Sequence, residues 1–137
     1  MNKLNVIILP VFLLLLLAAG TAYAQDSATV LKGDVPFDFI VADKTLPIGT
    51  YTVKEFSSGL TKIQNLESHA AVVFRTVAAK NGKQVKPMFV FRRYGEQYYL
   101  GQIWNGSTDG RILPKSDKEV QVAKNQAAPQ LIYIAAK

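Results

Sequence analysis

The sequence predicts an all-β, mainly antiparallel domain: a β-sandwich or small barrel of seven to eight short strands with one short C-terminal helix. Three observations predict it. Apolar side chains recur at every second position, chiefly between residues 37 and 104, glycine-bearing reversals divide those stretches, and a single segment carries a helix start signal. An α/β sheet would need helices between its strands, and the spacing leaves no room for them. Sandwich and barrel both fit the pattern; a closed barrel with a cavity implies a small apolar ligand.

The first strand is Val35-Pro36-Phe37-Asp38-Phe39-Ile40-Val41, with Val35, Phe37, Phe39 and Val41 on one face. Pro36 lacks an N–H, which places this end at a sheet edge. Asp43-Lys44 begins a turn that Leu46-Pro47-Ile48-Gly49 continues, and Tyr51–Lys54 follows as a strand with Tyr51 and Val53 inward. Ser57-Ser58-Gly59 breaks it. Residues 60–66 and 70–78 form two further strands. Asn81-Gly82 predicts a type I′ hairpin between strands ending near Lys80 and starting near Lys83. Gly95-Glu96 predicts a type II′ turn between the alternating aromatic runs 89–94 and 97–104. Residues 105–110 read as a polar loop; their Asn105-Gly106-Ser107 is a formal glycosylation acceptor that means nothing in a bacterial host. Ser116-Asp117-Lys118-Glu119 has capping-box spacing and predicts a helix ending near Asn125. Residues 131–134 close the domain as a strand.

The chain of 137 residues opens with one positive charge at Lys3, an apolar stretch from Val6 to Ala19, and Ala22-Tyr23-Ala24. That is the pattern of a secretory signal peptide over residues 1–24, cleaved before Gln25. The apolar stretch is shorter than the roughly 20 residues a spanning helix needs. Membrane contact is therefore expected only through this peptide before cleavage, and the mature protein in the periplasm, outside the cell or at its surface. Residues 25–32 read as a flexible lead-in and residues 33–137 as one β domain. Cleavage leaves 113 residues and lowers the formal charge from +6 to +5. With no cysteine, stability must come from core packing and strand pairing.

Lys and Arg fall singly apart from Arg92-Arg93, so nucleic acid is not an expected partner. His69 is the only histidine, and one imidazole without a second ligand makes a poor metal site. A hydrolase using His69 is conceivable with Ser68 beside it, but neighbours along a strand point to opposite faces and no glycine-flanked serine elbow exists. Asp34 and Asp38 on one strand face would stand about 13 Å apart, too far for a retaining glycosidase pair. No cofactor motif is present. The aromatic series from Phe89 to Trp104 reads chiefly as core, while Arg92, Tyr94 and Tyr99 share the opposite face. An exposed Tyr/Arg face suits binding, which makes these three the candidate ligand-binding residues.

The stretches Val35–Val41, Leu46–Tyr51, Phe91–Leu100, Ile103-Trp104, Gly110–Pro114 and Ser116–Glu119 resemble a family of small exported β-rich proteins of unknown function common in Acidobacteria. The resemblance implies a diderm bacterial host and an exported β domain, and supplies no catalytic residues. The family pattern usually has Ala where Ile48 stands and often His where Arg92 stands. The Leu-Pro-x-Gly-x-Tyr segment is also similar to a turn in prealbumin-like extracellular sandwiches, where Gly49 would permit the turn and Tyr51 begin the anchoring strand.

The function expected is a non-enzymatic exported binding or structural module of the bacterial envelope, with an envelope polymer or a protein as partner. The alternatives are a small apolar-ligand carrier with a barrel-like cavity and, remotely, the His69 hydrolase.

Overall fold

A computed structural model describes residues 30–57 and 59–137. The expected signal peptide and residues 25–29 of the lead-in lie outside the described residues. Two sheets pack face to face. Sheet 1 has the order β1 (Val30–Val35), β4 (Gly49–Ser57), β5 (Leu60–Asn65), β6 (Ala71–Arg75), all antiparallel neighbours. Sheet 2 has the order β11 (Gln130–Ala135), β8 (Met88–Tyr94), β9 (Gln97–Trp104), β10 (Asp109–Ile112), β7 (Val77–Lys80). The hairpin of β2 (Phe39–Val41) and β3 (Lys44–Leu46) joins sheet 2 through a parallel bridge from Ile40 to Tyr99. The single helix among the described residues is α1 (Asp117–Asn125).

Alternation in the sequence becomes the core. Leu31, Val35, Tyr51, Val53, Ile63, Val72 and Phe74 of sheet 1 meet Phe39, Val41, Phe89, Phe91, Leu100 and Ile103 of sheet 2. Phe39 is the hinge pin of this contact, edge-on to Tyr51 at 4.9 Å and to Phe91 at 5.2 Å. The Tyr51 hydroxyl donates to the Pro47 carbonyl, so the Leu-Pro-x-Gly-x-Tyr turn is tied to the strand that follows it.

The sandwich is closed at both corners. On one side the strand expected over residues 70–78 breaks at Thr76: β6 belongs to sheet 1 and β7 to sheet 2. On the other, Lys32 and Lys137 exchange both backbone hydrogen bonds (3.0 and 2.8 Å) and Gly33 bridges Ala136.

Several expectations are corrected. Residues 30–32 are already strand, with Leu31 buried, so they are not lead-in. The strand expected over 35–41 is two pieces, because the chain crosses from sheet 1 to sheet 2 at Pro36, which cannot donate to a ladder. Eleven strands are described, against seven or eight expected. Asn81-Gly82 makes no I′ hairpin: β7 pairs with β10, and the Asn81 side chain instead accepts from Lys83 N in a local turn. The polar loop expected over 105–110 ends early, since Asp109–Ile112 is that partner strand. Two-residue reversals occur elsewhere. Gly95, at φ +59°, makes the turn between β8 and β9 as expected, with Glu96 outside the left-handed region. Between β2 and β3, Ala42 and Asp43 take φ of 49° and 63°, the I′ signature without a glycine. A Cβ in that conformation costs roughly 1 kcal/mol. Ala42→Gly is therefore expected to raise stability by about 0.5–1 kcal/mol, read from the chemical-denaturation midpoint.

Candidate functional site

The three residues singled out from sequence do come together, but beneath the surface. Arg92 faces Tyr99 across the β8–β9 ladder, and Tyr94 lies two residues along the same face, edge-on to Tyr99 at 5.7 Å. The expected exposure is corrected: Tyr94 and Tyr99 are buried and Arg92 nearly so, because α1 covers this face. What they gather around is Glu119, which is 2% exposed. Its Oε2 accepts from Arg92 Nε (2.6 Å) and the Tyr94 hydroxyl (2.9 Å), and its Oε1 accepts from Arg92 Nη2 (2.9 Å). Arg92 Nη2 also donates to the Leu113 carbonyl at 3.2 Å.

This arrangement completes only half of the expected capping box. Ser116 Oγ accepts from Glu119 N at 3.2 Å, while the Glu119 carboxylate turns inward instead of back to Ser116 N. The reason is visible in the helix. Glu119 is its sole buried residue, and Val120 is left 37% exposed, so a buried ion pair takes the place of an apolar stripe. Gly101 makes room for it: a Cβ there would stand 2.6 Å from Arg92 Nη1. Burial raises the Tyr94 hydroxyl to about 12, with its hydrogen bond to Glu119 adding to the shift. Tyr99 is raised by burial first, then by the charges of Glu119 and Asp43. Both Glu119 oxygens, Arg92 Nε and Nη2 and the Tyr94 hydroxyl are engaged with one another, which describes a structural lock more closely than a receptor.

A separate concave site lies between the sheets, on the flank formed by β7 and β10. Where β4 and β5 diverge from β7 and β10, the sheets enclose a cleft of about 290 Å³. Leu31, Val53, Ile103 and Ala78 line it, with the Thr61 hydroxyl, itself paired with Thr76 at 3.3 Å. Arg111, on the inward face of β10 beside Ile103, bridges the cleft to Glu55 of β4. Their side chains are 18% and 41% exposed, so this pair stands at the mouth. Lys80 and Asp109 form a looser, solvent-exposed pair on the rim at 4.0 Å. Sequence reasoning missed this site because Glu55 and Arg111 are 56 positions apart and belong to different sheets.

His69 sits on an exposed turn at φ +61°, where Asn65 Oδ1 organises the backbone by accepting from Glu67 N and Ser68 N. The Ser68 hydroxyl accepts from Ala70 N at 3.3 Å and is not presented to the imidazole. Asp34 and Asp38 are equally local: the first accepts from the Thr50 hydroxyl, the second from Ile48 N. Among the described residues no three His, Cys, Asp or Glu side chains come together as metal ligands. Comparison with family models, curated proteins and solved structures returns no match.

Proposed function

We propose that the protein is an exported, non-enzymatic binding module of the bacterial envelope that holds a small, largely apolar ligand with one anionic end. The cleft between the sheets carries this reading: Leu31, Val53, Ala78 and Ile103 give it an apolar wall, and the Arg111 guanidinium stands at its mouth among the polar side chains of Glu55, Lys80, Asn105 and Asp109. Arg111 has five N–H donors and spends one on Glu55, which leaves it able to receive a carboxylate or phosphate. The signal-peptide pattern and the resemblance to small exported proteins support the location. Arg92, Tyr94 and Tyr99 serve the module by fastening α1 to sheet 2.

The fluorophore 1-anilinonaphthalene-8-sulfonate has this chemistry and tests the site. One saturable site is expected on the natively folded protein, with cooperative unfolding checked in parallel. Ala78 faces the cleft beside Arg111, so Ala78→Phe should fill it and weaken binding at least tenfold. Native mass spectrometry of protein purified from its host should show a co-purified small molecule that Ala78→Phe loses. Unchanged dye binding by the filled variant would sink the proposal.

A further inference from the structure

Among the described residues nothing covers the outer face of sheet 1, and its charge pattern is not that of a generic solvated surface. In each of its four strands alternate residues point outward. Each strand contributes one cation there: Lys32 from β1, Lys54 from β4, Lys62 from β5 and Arg75 from β6. The register places them in order. Lys54 lies directly opposite Lys62, Lys32 is one outward position toward Thr52, and Arg75 is one outward position the other way, opposite Leu60. The four cations therefore form a single diagonal stripe across the sheet, on the order of 20 Å long from strand spacing and rise.

Like charges directly opposite on a sheet are unfavourable, yet no carboxylate of the described residues pairs with Lys32, Lys62 or Arg75. Among the described residues Asp34 is the one acid on this face, at its rim and engaged by Thr50. Glu55 points to the other side of the sheet, toward Arg111. Lys32, Lys62 and Arg75 have no ion pair among the described residues, and Lys54 lies over the Phe56 ring at 5.4 Å. Thr52 and Gln64 flank the cations as hydrogen-bonding groups, and Phe56 and Val73 are 46% and 57% exposed beside them.

We infer that this face docks a linear acidic polysaccharide along the stripe. Charge complementarity calls for a polyanion, and a narrow diagonal line matches a chain better than a planar lipid surface. Neighbouring cations along the stripe stand about 5–8 Å apart from strand spacing and rise, on the order of one to two sugar residues. The flanking hydroxyl and amide side chains suit sugar hydroxyls, and the exposed Phe56 ring suits a pyranose face. This docking does not depend on the cleft.

Polygalacturonate is the probe. The purified protein is expected to bind it at low ionic strength and to release it as salt is raised. Lys62→Gln with Arg75→Gln should weaken binding about tenfold, two exposed charge contacts being lost. Lys118→Gln with Lys124→Gln removes the same charge from α1 and should leave binding unchanged. Lys62→Arg with Arg75→Lys should retain it. Should the first pair disturb folding, as read by its unfolding midpoint, Lys32→Gln with Lys62→Gln makes the same test. Equal weakening by the α1 pair would reduce the effect to net charge and overturn the assignment. So would absence of binding to polygalacturonate, or tighter binding to phosphatidylglycerol vesicles through the same residues.

Discussion

Glu119→Ala is expected to destabilise the domain by about 3–5 kcal/mol, because it leaves a buried guanidinium without its carboxylate. Arg92 is held 13% exposed by two strands and a helix, and among the described residues no other acid pairs with it. The Tyr94 hydroxyl loses its acceptor in the same step. For a domain of this size the unfolding midpoint should fall by roughly 15 °C. The energy is a cost of breaking the pair, not the worth of having it. Arg92→Met combined with Glu119→Leu, which removes both charges and keeps the volume, should therefore recover most of the loss. A single variant within about 1 kcal/mol of the native protein would mean that the pair is solvated like a surface bridge and that something else holds α1.

Alkaline conditions should weaken the fold in a defined window. Tyr94 titrates at about 12 in the folded state against 10.0 for the free side chain. Its contribution is fully present below pH 10. Between pH 10 and 12 the unfolded chain has released a proton that the native state retains, so stability falls with rising pH by about 1.4 kcal/mol per unit, roughly 3 kcal/mol in all. Tyr51 and Tyr99, both raised chiefly by burial, act in the same direction. Urea unfolding between pH 9 and 12.5 measures this, and Tyr94→Phe should flatten the decline. Parallel curves for the two proteins would show that Tyr94 is not the responsible group.

The inward set of each strand was legible because period-two alternation states which side chains share a face, and Tyr51, Val53, Phe89 and Phe91 obey it. The Gly95 turn was legible for a similar local reason. Partner choice was not. Asn81-Gly82 has the right composition for a hairpin, but β7 gains a longer ladder from β10, whose own Asp-Gly start disguises a strand as a turn. For the candidate site, the common face of Arg92, Tyr94 and Tyr99 could be read from spacing. Its burial could not, since that depends on a helix 27 positions from Arg92 laying Glu119 on it. One signal was available: Asp117–Asn125 has no apolar stripe to bury, so something polar had to attach it. The cleft left no local trace, being made where two sheets part.

The exchange of hydrogen bonds between Lys32 and Lys137 has a kinetic meaning. The first described strand finds its second neighbour only when the polypeptide is about a hundred residues longer, so the circuit of the sandwich closes through sequence-distant pairing. Such sequence-distant pairing is the slowest kind to form.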